Sequence, residues 1–286
     1  MNNLILGTAN FGRSYGILRQ SKITLESIEE ILNVAQDNGI SHFDTARSYG
    51  DAELILGKFL NKSQPLHIDS KIAFPECESV DSIINAVKES LGILGIPKLN
   101  TLYLHNADLL SGDKSLIIKQ GMERVIELGL ANNLGVSVYT LNQLTEAKKT
   151  FSSLTIFQIL ENICDRRLIH SKELIDFTDK GNIVNIRSVF LQGLLLIKLK
   201  DLQEKFYGAT KSIEDLNRYA CENNVSVIDL CVAYVKMIPW ADKYLVGVES
   251  TSQLTEIIES NFQLEKNWEI HISSLPEELK DPRCWQ

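Results

Sequence analysis

Four side chains in the first third of the chain could together move a proton to an oxygen. Asp44 and Tyr49 lie five residues apart in HFDTARSYGDAELILG, Lys71 ends HIDSK, and His105 ends the apolar run of LYLHNAD. A phenol with an ordinary pKa of ~10 becomes a usable acid at neutral pH only beside a cation, and a lysine placed to act so needs a carboxylate to hold it. Taken singly, each has an ordinary structural reading: Asp44 a loop cap, Tyr49 a half-buried aromatic, Lys71 a solvated strand end, His105 a satisfied core histidine. Jointly they contain the parts of an acid catalyst.

The elements that must position them are short β-branched or apolar runs centred near Ile5, Phe43, Ile68, Leu102, Leu134, Phe157, Ile186 and Leu245, alternating with amphipathic stretches. TLESIEEILNVAQDNG shows the grammar. Thr24 caps a helix, Leu25, Ile28, Ile31, Leu32 and Ala35 form its apolar stripe, and Gly39 suits the position just past its end. Strands separated by helices pair in parallel. Eight such units in 286 residues predict one (β/α)8 TIM barrel over residues 1–286, an α/β single domain, rather than an open doubly wound sheet. Reactive groups in a barrel stand at the C-terminal ends of the strands, where all four residues fall. The longest gap, between the seventh and eighth strands, carries two extra helical stretches that should overhang that rim.

Composition narrows the partners. Lys and Arg number 29 against 37 Asp and Glu, a net charge of −8, so no global field attracts nucleic acid or an anionic membrane. Five scattered cysteines (Cys77, Cys164, Cys221, Cys231, Cys284) form no C-x-x-C and read as reduced thiols, most of them core packing. Neither a signal peptide nor a membrane span is evident, and the expected setting is cytoplasmic. No metal site is expected.

With DTARSYG after the second strand, SK at the end of the third, YLHN at the fourth, LGVS at the fifth and VGVESTSQL after the eighth, the sequence resembles the aldo-keto reductase family along essentially its whole length. The resemblance implies a nicotinamide-dependent oxidoreductase that interconverts a carbonyl (aldehyde, ketone or sugar) and an alcohol. Tyr49 is then the general acid, Lys71 lowers its pKa, Asp44 pairs with Lys71, and His105 orients the carbonyl. It implies that the cofactor lies extended across the strand ends, since no G-x-G-x-x-G or P-loop occurs. Gly7, Thr8, Asp44, Ser137, Gln158, Arg187 and, further along the sixth strand, Asn162 would surround the nicotinamide and its ribose. Ser188, Phe190, Gln192 and Gly193 would approach the pyrophosphate, and Gly247, Glu249, Ser250, Gln253 and Glu256 the adenosine end. The chain departs from the family pattern at Val138 and Ile257, where asparagines are usual, and at Arg187, where an aromatic often stacks on the nicotinamide.

Family members that prefer NADPH place Lys or Arg at the positions matched by Glu249 and Gln253, so between NAD(H) and NADP(H) the expectation leans to NAD(H). Loop residues Asn10, Phe11, Tyr15, Phe74, Asn106 and Tyr139 would line a substrate pocket suited to a small carbonyl compound or sugar. The short tail after the last helix implies an open site. Two other readings stay available: a cofactor-binding regulatory subunit with little turnover, and a redox-neutral sugar epimerase that retains its cofactor. The expected state is a monomer or weak homo-oligomer.

Overall fold

The computed structural model describes residues 3–13, 16–17 and 23–285. Eight strands run β1 (Leu4–Gly7), β2 (His42–Asp44), β3 (His67–Ile72), β4 (Leu99–Leu104), β5 (Ala131–Val138), β6 (Ile156–Leu160), β7 (Ile183–Arg187) and β8 (Lys243–Gly247). All pair in parallel, and β8 returns to β1 to close a barrel. Every predicted strand centre falls inside a strand. The helices are α1 (Ala9–Gly12), α2 (Leu25–Asp37), α3 (Ala52–Phe59), α4 (Val80–Leu94), α5 (Ser115–Glu127), α6 (Leu141–Thr150), α7 (Lys172–Asp179), α8 (Thr210–Glu222), α9 (Val227–Lys236), α10 (Thr251–Glu259) and α11 (Glu277–Lys280).

Local chemistry explains where they begin and end. Thr24 accepts a hydrogen bond from Ser27 N at the start of α2, and Gly39 follows its end with φ 75°. Ser79 and Ser82 form a reciprocal capping box on α4, as Ser226 and Asp229 do on α9. The apolar stripe of α2 is buried at Ile28, Ile31, Leu32 and Ala35, each at zero exposure, whereas Leu25 in its first turn is exposed, and α2 packs beside α10. Burial of four such side chains contributes roughly 1.5–3 kcal/mol for each of the three large ones, which outweighs the few tenths that propensity offers.

Two glycines are demanded by what they approach. A Cβ on Gly135 in β5 would lie 2.5 Å from Tyr103 Cε1, so its absence lets the Tyr103 ring lie against β5 in the barrel core. A Cβ on Gly12 would lie 1.8 Å from the Tyr49 carbonyl oxygen, so α1 packs directly against the turn that carries Tyr49.

The chain from Trp268 to Trp285 folds back onto the barrel. The Arg283 guanidinium stacks 3.6 Å from the Tyr139 ring centroid, and Phe206 meets Trp285 edge to face at 4.9 Å. Three cysteines are buried as expected, whereas Cys221 and Cys284 are exposed; all five are free. Among the described residues no helix is long and apolar enough to cross a membrane.

Candidate active site

Strand register sets the site. Gly7 pairs with Asp44 and with Gly247, and Lys71 with Tyr103, so the ends of β1, β2, β3, β4 and β8 lie side by side at one rim. Thr8 ties β1 to β2 twice, donating from its N–H (3.0 Å) and its hydroxyl (3.1 Å) to the Asp44 carbonyl. Asp44 and Lys71 are 2% and 3% exposed, so their charges must find each other. Lys71 Nζ donates to Asp44 Oδ1 and, at 3.0 Å, to the Thr45 carbonyl. Gln158 Nε2 donates to Asp44 Oδ2 at 2.6 Å, while Ser137 Oγ donates to Gln158 Oε1 at 3.2 Å. Ser137 and Gln158, expected beside a nicotinamide, therefore also hold the carboxylate.

Tyr49 and His105 face each other edge to face at 5.8 Å, and Ser48 Oγ lies 3.3 Å from His105 Nδ1. Burial first, then the positive charges of Lys71, Arg187 and Arg13, lower the His105 pKa to about 3, so the imidazole is neutral at physiological pH. Asp44 is raised by burial against the opposing pull of Lys71. Tyr49 is raised above the ordinary phenol, by burial and then by Asp44. The cations that offset this are Arg187 and Arg13. Lys71, whose ammonium is 5.3 Å from the Tyr49 ring centroid, gives its hydrogen bonds to Asp44 and Thr45. The resemblance assigns the lowering to Lys71, whose ammonium lies beside the Tyr49 ring and whose charge also acts on His105.

These groups open into one cavity of about 580 Å³, inside the range of ligand pockets. Asp44, Tyr49, Lys71 and His105 line it together with Gly7, Thr8, Ser137 and Gln158. So do Arg187, Ser188, Phe190, Gln192, Gly193, Gly247, Glu249 and Gln253, and of the substrate-pocket candidates Asn10 and Tyr139. Several expected contacts lie off its wall. Ser250 caps α10 by accepting from Gln253 N at 3.2 Å, and Glu256 sits within that helix. Asn162, at zero exposure, accepts from Cys164 N. Phe11 is core, Phe74 is 60% exposed beneath Lys114, and Asn106 caps a short 3-10 turn. Tyr15 falls outside the described residues. Ile257 is 1% exposed, a packing residue where the family pattern has an asparagine.

Arg13, Lys198 and Asp201 also line the cavity and escaped sequence reasoning. Single charges in irregular segments after β1 and β7 carry no periodic or motif signal.

The donor set fits a dinucleotide. Asn10 Oδ1 is buried without a partner among the described residues, and a Cβ on Gly247 would come within 3.7 Å of it. Ser188, Leu191, Gln192 and Gly193 all hold positive φ (63°, 48°, 54° and 89°), a run of left-handed backbone kept where it lines a cavity. Val138 departs from the family pattern in side chain, yet its carbonyl accepts from an Arg187 amino group at 3.0 Å. Arg187 in turn lies 4.1 Å from the Tyr139 ring centroid, so that ring is clasped between Arg187 and Arg283. Among the described residues no group of three or more His, Cys, Asp or Glu is placed to hold a metal.

A closed parallel barrel with a buried Lys–Asp pair, a tyrosine and a neutral histidine at its C-terminal rim defines a class of enzyme-like site. A sequence model of the Aldo/keto reductase family matches residues 3–269, and the chain belongs to that family. It is 30% identical over 179 residues to oxidoreductase sirO of Leptosphaeria maculans, a match covering 57% of this chain and 52% of that protein. It is 31% identical over 136 residues to the chloroplastic pyridoxal reductase of Arabidopsis thaliana, covering 42% of this chain and 37% of that one. The chain therefore spans about half or less of these two relatives. A Schizosaccharomyces pombe NAD/NADP-dependent indole-3-acetaldehyde reductase is 29% identical over 217 residues, 73% of this chain and 70% of the other. The solved structure of a glycerol dehydrogenase from Gluconobacter oxydans shares the fold, with a TM-score of 0.72 at 18% identity over 93% of this chain and 89% of that one.

Proposed function

We propose that the protein is a nicotinamide-dependent carbonyl reductase or alcohol dehydrogenase with Tyr49 as its general acid. The observation that carries this reading is the convergence of Asp44, Tyr49, Lys71 and His105 on one cavity wall. A reduced nicotinamide, which Ser137, Gln158 and Arg187 would hold, would supply the hydride for the carbonyl carbon. The chain's part is to place the carbonyl and deliver the proton. Tyr49, held protonated by burial, gives its hydroxyl proton to the carbonyl oxygen as that oxygen gains charge. His105, neutral throughout the working range, offers an imidazole donor to the same oxygen without competing for its proton. Lys71, paired with Asp44 beside the Tyr49 ring, eases loss of the phenol proton, and Gln158 and Ser137 fix the carboxylate.

Cofactor choice rests on the loop after β8. Glu249 is exposed on the cavity wall, its N–H donates to Gln253 Oε1 at 2.8 Å, and neither side chain offers a cation to a ribose 2′-phosphate. A carboxylate there repels that phosphate and suits a free 2′-hydroxyl, which favours NAD(H). Lys198, across the β7–α8 segment, is the wall cation that opposes this reading.

The deciding experiment is Tyr49→Phe, assayed with a panel of simple carbonyls and with cofactor binding followed by nicotinamide fluorescence. Loss of a positioned acid costs roughly 10²–10⁴ in kcat, and cofactor affinity should stay within about twofold. Undiminished turnover in the variant would remove Tyr49 from the chemistry. Slow turnover in the wild type with tight cofactor binding would favour the regulatory-subunit reading.

A further inference from the structure

The reacting end of the cavity is positive, although the chain as a whole carries −8. Arg13 and Arg187 both line it. The Arg13 guanidinium carbon is 5.3 Å from the Tyr49 ring centroid, and that of Arg187 is 4.1 Å from the Tyr139 ring centroid. The charges that act most strongly on His105 are those of Lys71, Arg187 and Arg13, all of one sign. Asp44, an acid on the same wall, pairs with Lys71. Arg283, on the outer face of Tyr139, is already held by Asp281 through two of its nitrogens and lies 3.6 Å from Asp108.

Arg187 is in a different position. Among the described residues its amino groups donate to neutral oxygens, the Val138 carbonyl at 3.0 Å and Ser188 Oγ at 3.4 Å. A guanidinium on a pocket wall that meets neutral acceptors gains from a charge-assisted hydrogen bond to an incoming anion. Hydride and proton transfer leave the net charge of the site unchanged, because the Tyr49 phenolate offsets the oxidised ring, and the site gains one positive charge only when Tyr49 is reprotonated from solvent.

Resting on the carbonyl-reductase reading, we infer that the carbonyl compound taken here is an oxyanion, a carboxylate or phosphate ester, whose charged group is gripped by Arg13 and Arg187. The planar forks of two arginines match the geometry of either group. The substrate would be small, since about 580 Å³ must hold it together with the cofactor.

The test compares 4-formylbenzoate, 4-formylphenyl phosphate and the neutral methyl 4-formylbenzoate as substrates of the full chain. At least one anion should exceed the ester at least tenfold in kcat/KM, and the preferred anion identifies which group is taken. Arg13→Gln and Arg187→Gln should each reduce the anion-to-ester ratio at least fivefold, chiefly through KM. Independently of turnover, benzene-1,4-dicarboxylate should bind the oxidised-cofactor complex at least tenfold more tightly than its dimethyl ester in calorimetry, with affinity falling as salt rises. An ester reduced as well as both anions, a ratio unmoved by both substitutions, or equal binding of diacid and diester overturns the inference. Arginine-dependent binding of the diacid without reduction of any aldehyde would overturn the reductase reading and leave the anion site standing.

Discussion

Individual side chains here act through the charges beside them. The family resemblance assigns Lys71 the lowering of the Tyr49 pKa. In this chain its ammonium donates to Asp44 and the Thr45 carbonyl, and Arg187 and Arg13 add positive charge that acts on Tyr49. The proposed preference for NAD(H) rests likewise on one charge, the Glu249 carboxylate on the cavity wall after β8. Glu249→Arg replaces repulsion with attraction and should move the NADH-to-NADPH affinity ratio toward NADPH by roughly 1 kcal/mol, about fivefold, at physiological ionic strength. Titration of both reduced cofactors into both proteins checks it. A wild type that binds NADPH more tightly, or a variant with an unchanged ratio, rules out Glu249 as the discriminator.

Elements matter here through how closely their backbones meet. The four-residue α1 lies against the turn preceding α3, and Gly12 is the contact: a methyl there would sit 1.8 Å from Tyr49 O, 2.6 Å from Ala52 N and 2.7 Å from Asp51 N. These are backbone atoms that cannot rotate away. Gly12→Ala should therefore displace the turn by an ångström or so, costing about 1–3 kcal/mol in stability and on the order of 100-fold in kcat through misplacement of the Tyr49 hydroxyl. Urea denaturation and steady-state kinetics measure the two losses. Wild-type kcat in the folded variant would show that Tyr49 does not depend on α1 for its position. The amphipathic pattern shows that a helix follows the first strand region, whereas this glycine contact depends on which loop α1 happens to face.

Away from the cavity the molecule as a whole carries further buried acids, and Glu161 is one whose pKa burial raises. Glu161, just past β6 at zero exposure, accepts a hydrogen bond from Tyr234 in α9, and its Oε2 has no partner among the described residues. Burial pushes its pKa up to about 9 from 4.5, so the folded protein holds it protonated at neutral pH while the unfolded chain ionises it. A raised folded pKa gives stability that is complete below about 4.5 and is lost as pH rises through about 9. Between those limits the native state should weaken by about 1 kcal/mol per pH unit on this account. Glu161→Gln, which cannot ionise, should flatten the fall of the urea midpoint between pH 6 and 9. An equal slope in wild type and variant would show the carboxyl to be ionised in the fold.

Sequence alone determined the order and type of the elements, because apolar periodicity, caps such as Thr24 and terminators such as Gly39 are local. It also placed Asp44, Tyr49, Lys71 and His105 at successive strand ends, since strand length and motif spacing are one-dimensional facts. Tertiary structure alone decided which charges meet. Closure of the barrel sets Gln158 against Asp44, 114 residues apart, and the returning tail sets Arg283 on Tyr139. Arg13, Arg187 and Lys198 reach one cavity from separate segments. Those pairings depend on long-range packing, and an isolated arginine in a loop gives no sign of the ring or carboxylate it will face.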